Sequence, residues 1–148
     1  MTYREITPDE AVLDRLIALS ADWEAEQSCY GYRKNTREDL LGRRIFTAED
    51  EGHIVGYLFG RQAASESQRS IMPDGTPYFE VEELYTVPAL RSRGIGQALF
   101  LCAESVLRAE GIPYLMLSTA AKNTRAILHF YLDETGMTLW SARLFKKL

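Results

Sequence analysis

The sequence predicts one mixed α/β domain with the element order β-α-α-β-β-β-α-β-α-β. Three observations predict it. Hydrophobic residues make up 46% and charged residues 26% of 148, which fits a globular core rather than a disordered chain. Apolar positions recur at a period of two in some stretches and near 3.6 in others, so strands and helices alternate. A strand-like run, Tyr78–Val87, passes through a turn with two glycines among basic residues into a helix-like run, Gln97–Glu110. A chain of this length buries roughly two thirds of its unfolded surface in a single core.

The elements follow in order. Tyr3–Ile6 forms a short first strand. Thr7-Pro8-Asp9-Glu10 reads as a capping box with proline at the first helical position. The helix it opens carries Val12, Leu13, Leu16, Ile17 and Trp23 on its buried side. Asn35-Thr-Arg-Glu-Asp starts a second, shorter helix through Leu40 and Leu41. Arg44–Ala48 and Ile54–Arg61 make a hairpin turning through Glu49–His53. The Ser65–Pro77 stretch, rich in Ser, Gly and Pro, is a surface loop. After the glycine turn and its helix, Pro113–Ser118 is a strand apolar on both faces, as a central parallel strand should be. A last helix covers roughly residues 123–135, and Met137–Lys146 supplies one or two closing strands.

The segment Val87-Pro-Ala-Leu-Arg91-Ser-Arg93-Gly94-Ile-Gly96-Gln-Ala-Leu carries the first chemistry. At a helix start the free N–H groups point outward, and the helix dipole adds about half a positive charge. Gly94 and Gly96 lack Cβ atoms, so a phosphate can approach the main chain closely. Arg91 and Arg93 add donors for phosphate oxygens. A P-loop would need Gly-x4-Gly-Lys-Ser/Thr, which is absent. A dinucleotide fingerprint would need a third glycine or alanine where Leu99 stands, and it sits early in its domain.

The spacing Arg91-x-x-Gly94-x-Gly96, four residues after Val87, resembles the acyl-CoA loop of the GNAT superfamily of N-acyltransferases, and the element order resembles that fold over nearly the whole chain. The resemblance implies a single GNAT domain over residues 1–148, with a mostly antiparallel sheet and one parallel pair splayed around the cofactor. It implies acetyl-CoA as donor, its pyrophosphate on the amides of Ser92, Arg93, Gly94, Ile95, Gly96 and Gln97 beside Arg91. The backbone of Leu84, Tyr85, Thr86 and Val87 would then bind the pantetheine arm as an added strand. A second family signature, Asn-x-x-Ala-x-x-x-Tyr followed four residues later by Gly, is matched by Asn123 and Ala126. Phe130 takes the tyrosine position, Tyr131 follows one residue later, and Tyr131 to Gly136 is one residue longer than usual. Either the helix is overwound or bulged near His129, or it begins later than Asn123. Asn123 also reads simply as the N-cap, with Phe130 and Tyr131 in the core.

The implied reaction is attack of an amine on a thioester. An alkyl ammonium titrates near ~10.4 and a thiol near ~8.5, so the amine must lose a proton and the thiolate gains from a donor. Strict alternation puts Phe79, Val81, Glu83, Tyr85 and Val87 on one face of the strand, making Glu83 a lone acid on an apolar face. Tyr78, Glu80, Glu82, Leu84 and Thr86 share the other face, and a bulge would swap faces downstream of it. Glu83 is the first candidate for the base and Glu82 the second; a structural or substrate-charge role for both is the remaining reading. Tyr131 is the candidate acid. Tyr30 and Tyr32, between the first two helices, either contact the acceptor or cover the sheet.

The net charge of −4 argues against nonspecific nucleic-acid binding. No apolar run is long enough to span a membrane, and the N-terminus lacks a signal-peptide core, so a cytoplasmic location is expected. Cys29 and Cys102 make no disulfide framework, and the isolated His53 and His129 make no metal site. The expected acceptor is a small amine or peptide amine. A catalytically silent acyl-CoA sensor and a nucleotide-binding regulatory domain are the competing readings. A homodimer would form through the closing strands around Met137–Phe145, with Trp140 exposed.

Overall fold

A computed structural model describes residues 1–148. Strands β1 (Thr2–Ile6), β2 (Arg44–Asp50), β3 (His53–Ala64) and β4 (Pro77–Thr86) pair antiparallel in sequence order. β5 (Tyr114–Met116) joins β4 in parallel, so the sheet reads β1-β2-β3-β4-β5. Helices α1 (Glu10–Glu26) and α2 (Arg37–Leu40) cover one face. α3 (Ile95–Ala109) covers the other, joined by α4 (Thr124–Leu128) and a π-helical stretch over His129–Glu134.

Period-two alternation builds both cores. Phe46, Ala48 and Leu58 face α3 and pack with Leu99, Phe100, Ala103 and Leu107. Ile45, Tyr57 and Phe59 face α1 and pack with Leu13, Leu16, Leu19 and the α2 residue Leu40. Each Leu, Ile or Phe among these contributes about 1.5–3 kcal/mol by leaving water.

Local chemistry moves the helix starts. Asp9, not Thr7, is the α1 N-cap, its Oδ1 accepting from the Val12 amide at 2.9 Å, and Pro8 stays outside the helix. Thr36 starts α2, its amide donating to Asp39 Oδ2 at 2.7 Å. The expected closing strands over Met137–Lys146 do not form, because no residue after 136 enters helix or strand, and the sheet ends at β5.

A bulge corrects the expected face assignment. Phe59 pairs with Glu83 but Gly60 pairs with Val81, leaving Glu82 as the extra residue of β4. Phe79 and Val81 therefore lie in the α3-side core while Tyr85 lies in the α1-side core. Gly60 makes the close crossing possible, since a Cβ there would stand 2.0 Å from the Glu80 carbonyl oxygen.

Candidate functional site

β4 and β5 pair only over Tyr78–Glu80 and Tyr114–Met116. Beyond Glu80 the β5-facing edge of β4 has no partner strand, although β3 still pairs with Leu84, Tyr85 and Thr86 on the other side. The strands thus splay, and Leu84–Thr86 line the opening. The chain after β5 pairs instead with the α1–α2 loop: Tyr30 N–H donates to the Ala120 carbonyl at 3.0 Å and Lys122 N–H to that of Ser28 at 2.9 Å. Cys29 and Ala121 form the bridge between them.

At one end of this opening stands the α3 N-terminus. Gly94 caps it at φ +77°, a left-handed conformation that favours glycine. The first helical bond runs from the Ala98 amide to the Gly94 carbonyl at 2.9 Å. The amides of Ser92, Arg93, Gly94, Ile95, Gly96 and Gln97 therefore donate to no atom of the protein. Six consecutive free donors at a 15-residue helix form an anion cradle, which fits a diphosphate. A Cβ at Gly96 would meet the Phe130 ring at 3.5 Å, an ordinary contact. The first turn of α3 is also tied to the last helix, since Gln97 Nε2 donates to the Glu134 carbonyl at 2.7 Å.

The two loop arginines differ. Arg91 is occupied: its guanidinium makes two 2.8 Å bonds to Glu26, donates from Nε to the Thr86 carbonyl at 2.8 Å, and lies over the Tyr85 ring. It therefore ties the loop to the end of α1. Arg93 is exposed and forms no ion pair. Val87 N–H bonds the Val55 carbonyl, and the Tyr85 hydroxyl donates to Glu26 at 3.0 Å, with burial holding that phenol up at about 12.

Glu83 sits on the α1 side of β4. Three donors converge on its Oε2: Tyr57 OH at 2.8 Å, Asn35 Nδ2 at 2.9 Å and Tyr32 OH at 3.1 Å. Its Oε1 has no partner in the protein, yet no buried side-chain oxygen is left unsatisfied, so Oε1 opens to accessible space. Burial raises the Glu83 carboxyl above the usual carboxylate range, and the three donors pull it part of the way back. Glu82 is different, because Arg43 Nε reaches it at 2.5 Å and Arg61 Nε at 3.5 Å. Its carboxylate is thus shared between two guanidinium groups.

The last helix resolves the shifted tyrosine spacing. Asn123 Oδ1 accepts from the Ala126 amide at 3.2 Å, which makes Asn123 the N-cap, and Ala126 is exposed. From His129 the backbone widens into π geometry, absorbing one extra residue. Phe130 lies against Gly96, and Tyr131 packs its ring on Phe100 at 6.3 Å between centroids. The Tyr131 hydroxyl has no partner in the protein; burial, with the Cys29 thiol adding to it, raises it to about 12. One short stretch therefore borders both groups, with Cys29 near Tyr131 and Tyr32 on Glu83.

Tyr32 also lies on Trp23, ring centroids 4.2 Å apart, and its own hydroxyl is raised by burial and by Glu83. Tyr30 is exposed, with Lys122 over its ring and Phe145 edge-on at 5.6 Å. Sequence reasoning missed Tyr57, Asn35 and Glu26. Tyr57 and Glu26 carry no local signal, being one aromatic in a strand and one acid in a helix. Gly60 did carry one, because a lone glycine within a strand pattern marks a bulge. The Ser65–Thr76 loop lies at the far end of β4, roughly 20 Å along the strand from Glu83, and closes on itself through Ser65 and Thr76. No helix is long and apolar enough to cross a membrane, and no three His, Cys, Asp or Glu residues gather as metal ligands.

Comparison with known proteins agrees with this geometry. A mycothiol acetyltransferase of Cellulomonas flavigena is 35% identical over 88 residues, 57% of this chain and 24% of that protein. The chain thus spans about a quarter of the length of the curated relative it matches. A transcriptional regulator from Bacillus halodurans superposes with a TM-score of 0.73 at 20% identity, covering 99% of both chains. The aminoglycoside N-acetyltransferase AAC(6')-Iy, solved in complex with CoA, gives 0.67 at 17% identity over 99% of this chain and 98% of its own. At those identities the two structures share the fold. The sequence profile of the acetyltransferase (GNAT) family matches residues 12–137, and the chain belongs to that family.

Proposed function

We propose that this protein transfers an acetyl group from acetyl-CoA to a primary amine of a small molecule or peptide, with Glu83 as general base and Tyr131 as donor to the leaving sulfur. The observation that carries this is the splay of β4 from β5 between six free amides and an unpaired carboxylate oxygen. Residues 92–97 would hold the diphosphate, and the open edge at Leu84–Val87 would hold the pantetheine arm. Bound acetyl-CoA supplies a thioester carbonyl open to attack.

Glu83 removes the proton that keeps the acceptor amine as ammonium. Its carboxyl, raised by burial, lies closer to an amine in affinity for protons than an exposed glutamate does. The three donors on Oε2 fix the rotamer and leave Oε1 for the proton. Glu82 is the poorer base because both of its carboxylate oxygens are engaged by guanidinium groups, Oε2 by Arg43 and Oε1 by Arg61, leaving neither oxygen for the amine. A phenol at about 12 cannot fully protonate a thiolate whose acid titrates near ~8.5, so Tyr131 acts by a hydrogen bond to developing charge.

Release of free thiol from acetyl-CoA, measured across a panel of aminoglycosides, polyamines, amino acids and peptides, tests the reading. At least one amine class should stimulate release severalfold; CoA binding without stimulation by any amine would leave only a silent binder. Gly96→Ala tests the cradle. The fold accepts the methyl, and removing a helical glycine is worth about 0.5–1 kcal/mol. Its melting temperature should therefore hold or rise while CoA affinity falls at least tenfold by calorimetry; unchanged affinity would exclude the cradle.

A further inference from the structure

Arg91 stands where a phosphate donor would stand, but its side chain is turned toward the protein. Nη1 and Nη2 each make a 2.8 Å bond to the Glu26 carboxylate, and Nε donates to the Thr86 carbonyl at 2.8 Å. Glu26 also accepts from the Tyr85 hydroxyl at 3.0 Å, and the guanidinium lies over the Tyr85 ring. A rigid fork thus meets two acceptors whose positions α1 and β4 fix independently. The Glu26 side chain is only 21% exposed, so without its cation a largely buried carboxylate would be left unpaired. A diphosphate does not require that exchange. Six free amides and the exposed, unpaired Arg93 are already available to it.

The carbonyl that Arg91 takes belongs to the open edge of β4. Val87 N–H bonds the Val55 carbonyl on the β3 side, so alternation turns Tyr85 to β3 as well and turns Leu84 and Thr86 outward. β5 has left the sheet by this point, so the amides and carbonyls of both residues face the opening. Arg91 caps one of these groups, leaving the Thr86 amide and both groups of Leu84. Thr86 adjoins the cradle, its Oγ1 3.9 Å from where a Cβ of Gly96 would stand. An extended arm leaving a diphosphate on the cradle therefore meets Thr86 first and Leu84 next, with Glu83 one residue further on. Sliding that arm back by one pair of residues, roughly 7 Å, would need both groups of Thr86. That register is closed.

We propose that Arg91, held by Glu26, is a positioning residue for the donor: it caps the Thr86 carbonyl and so fixes how far the pantetheine arm of acetyl-CoA runs along β4. The inference rests on the acetyl-CoA reading above and gives Arg91 a task other than holding phosphate. Arg91 touches neither the diphosphate nor the reacting atoms. It acts through the place where the thioester stops relative to Glu83 Oε1. A displacement of about 1 Å at the reacting atoms can cost about 100-fold in rate, so an arm in the wrong register is unproductive.

Arg91→Met and Glu26→Ala test this beside wild type in the full chain. CoA binding is measured by calorimetry, and acetyl-CoA labelled with carbon-13 in its thioester carbonyl is followed by NMR. Wild type should bind CoA and show a single shifted carbonyl line. Arg91→Met should keep most of that affinity, and Glu26→Ala, which frees Arg91 with its charge intact, should bind CoA as tightly or more so. Both should broaden or double the carbonyl line. With any amine that stimulates thiol release, both should lower kcat about 10- to 100-fold at an unchanged KM for the amine. The line is read without an acceptor, and either variant suffices if the other fails to fold. An affinity loss of about 10- to 100-fold in Arg91→Met, with the carbonyl line and kcat unchanged, would make Arg91 a phosphate ligand and overturn the proposal. A wild-type line in both variants would overturn it too. Wild type that binds no CoA would sink the acetyl-CoA reading itself, a result visible before any variant is compared.

Discussion

Glu83 is one carboxylate with two differently treated oxygens, and the proposed proton transfer rests on that asymmetry. Oε2 is held by Tyr57, Asn35 and Tyr32, while Oε1 is free. Glu83→Gln keeps the shape and removes the proposed base. Turnover should fall by about 10²–10⁴-fold with little change in CoA affinity; wild-type turnover across pH would remove Glu83 from the mechanism. Stability should move oppositely. The folded carboxyl titrates above its unfolded value, so folding holds the proton more tightly. Wild-type stability is therefore highest below the unfolded value and declines as pH rises through the folded one. Glu83→Gln lacks that decline, so its melting temperature should exceed wild type at neutral pH, the gap closing on acidification. Tyr131→Phe removes a hydroxyl with no partner in the protein. A hydrogen bond to a charged atom is worth about 1.5–3 kcal/mol, or roughly 10- to 100-fold. The variant should lose that much in kcat while melting unchanged; an unaltered kcat would place the hydroxyl outside the reaction.

At the scale of elements, two irregularities position these residues. The bulge at Glu82 rotates β4 so that Glu83 and Tyr85 turn toward α1 while Phe79 and Val81 stay with α3. Without it, Glu83 would face the core under α3, away from the donors that hold it. Gly60 permits the bulge, so Gly60→Ala should cost at least about 3 kcal/mol, because the obstructing atom is backbone rather than a movable side chain. Chemical denaturation measures this, and a loss under 1 kcal/mol would show that the crossing relaxes easily. The second irregularity is the π turn at His129, which inserts a residue and still delivers Tyr131 to the neighbourhood of Cys29. The glycine loop, joined to both neighbours by Arg91 to α1 and by Gln97 to the last helix, completes the frame.

For the whole molecule, the sequence by itself determined the parts whose physics is local. The order of elements through α4, the glycine-capped α3 and the free amides of residues 92–97 were legible because periodicity, missing Cβ atoms and helix ends act within a few residues. The family followed from the same segment. What only the tertiary structure decided depends on groups far apart in the chain. Asn35, Tyr57 and Glu83 meet on one oxygen across 48 and 26 residues. Arg91 turns from the cradle because Glu26, 65 residues earlier, stands beside it. Which carboxylate is caged and which is shared with arginines was likewise settled by the bulge, whose effect on facing depends on strand pairing. The tail reads as a strand in sequence yet has no partner in its own chain, since a pattern specifies a strand's faces but not whose edge completes it.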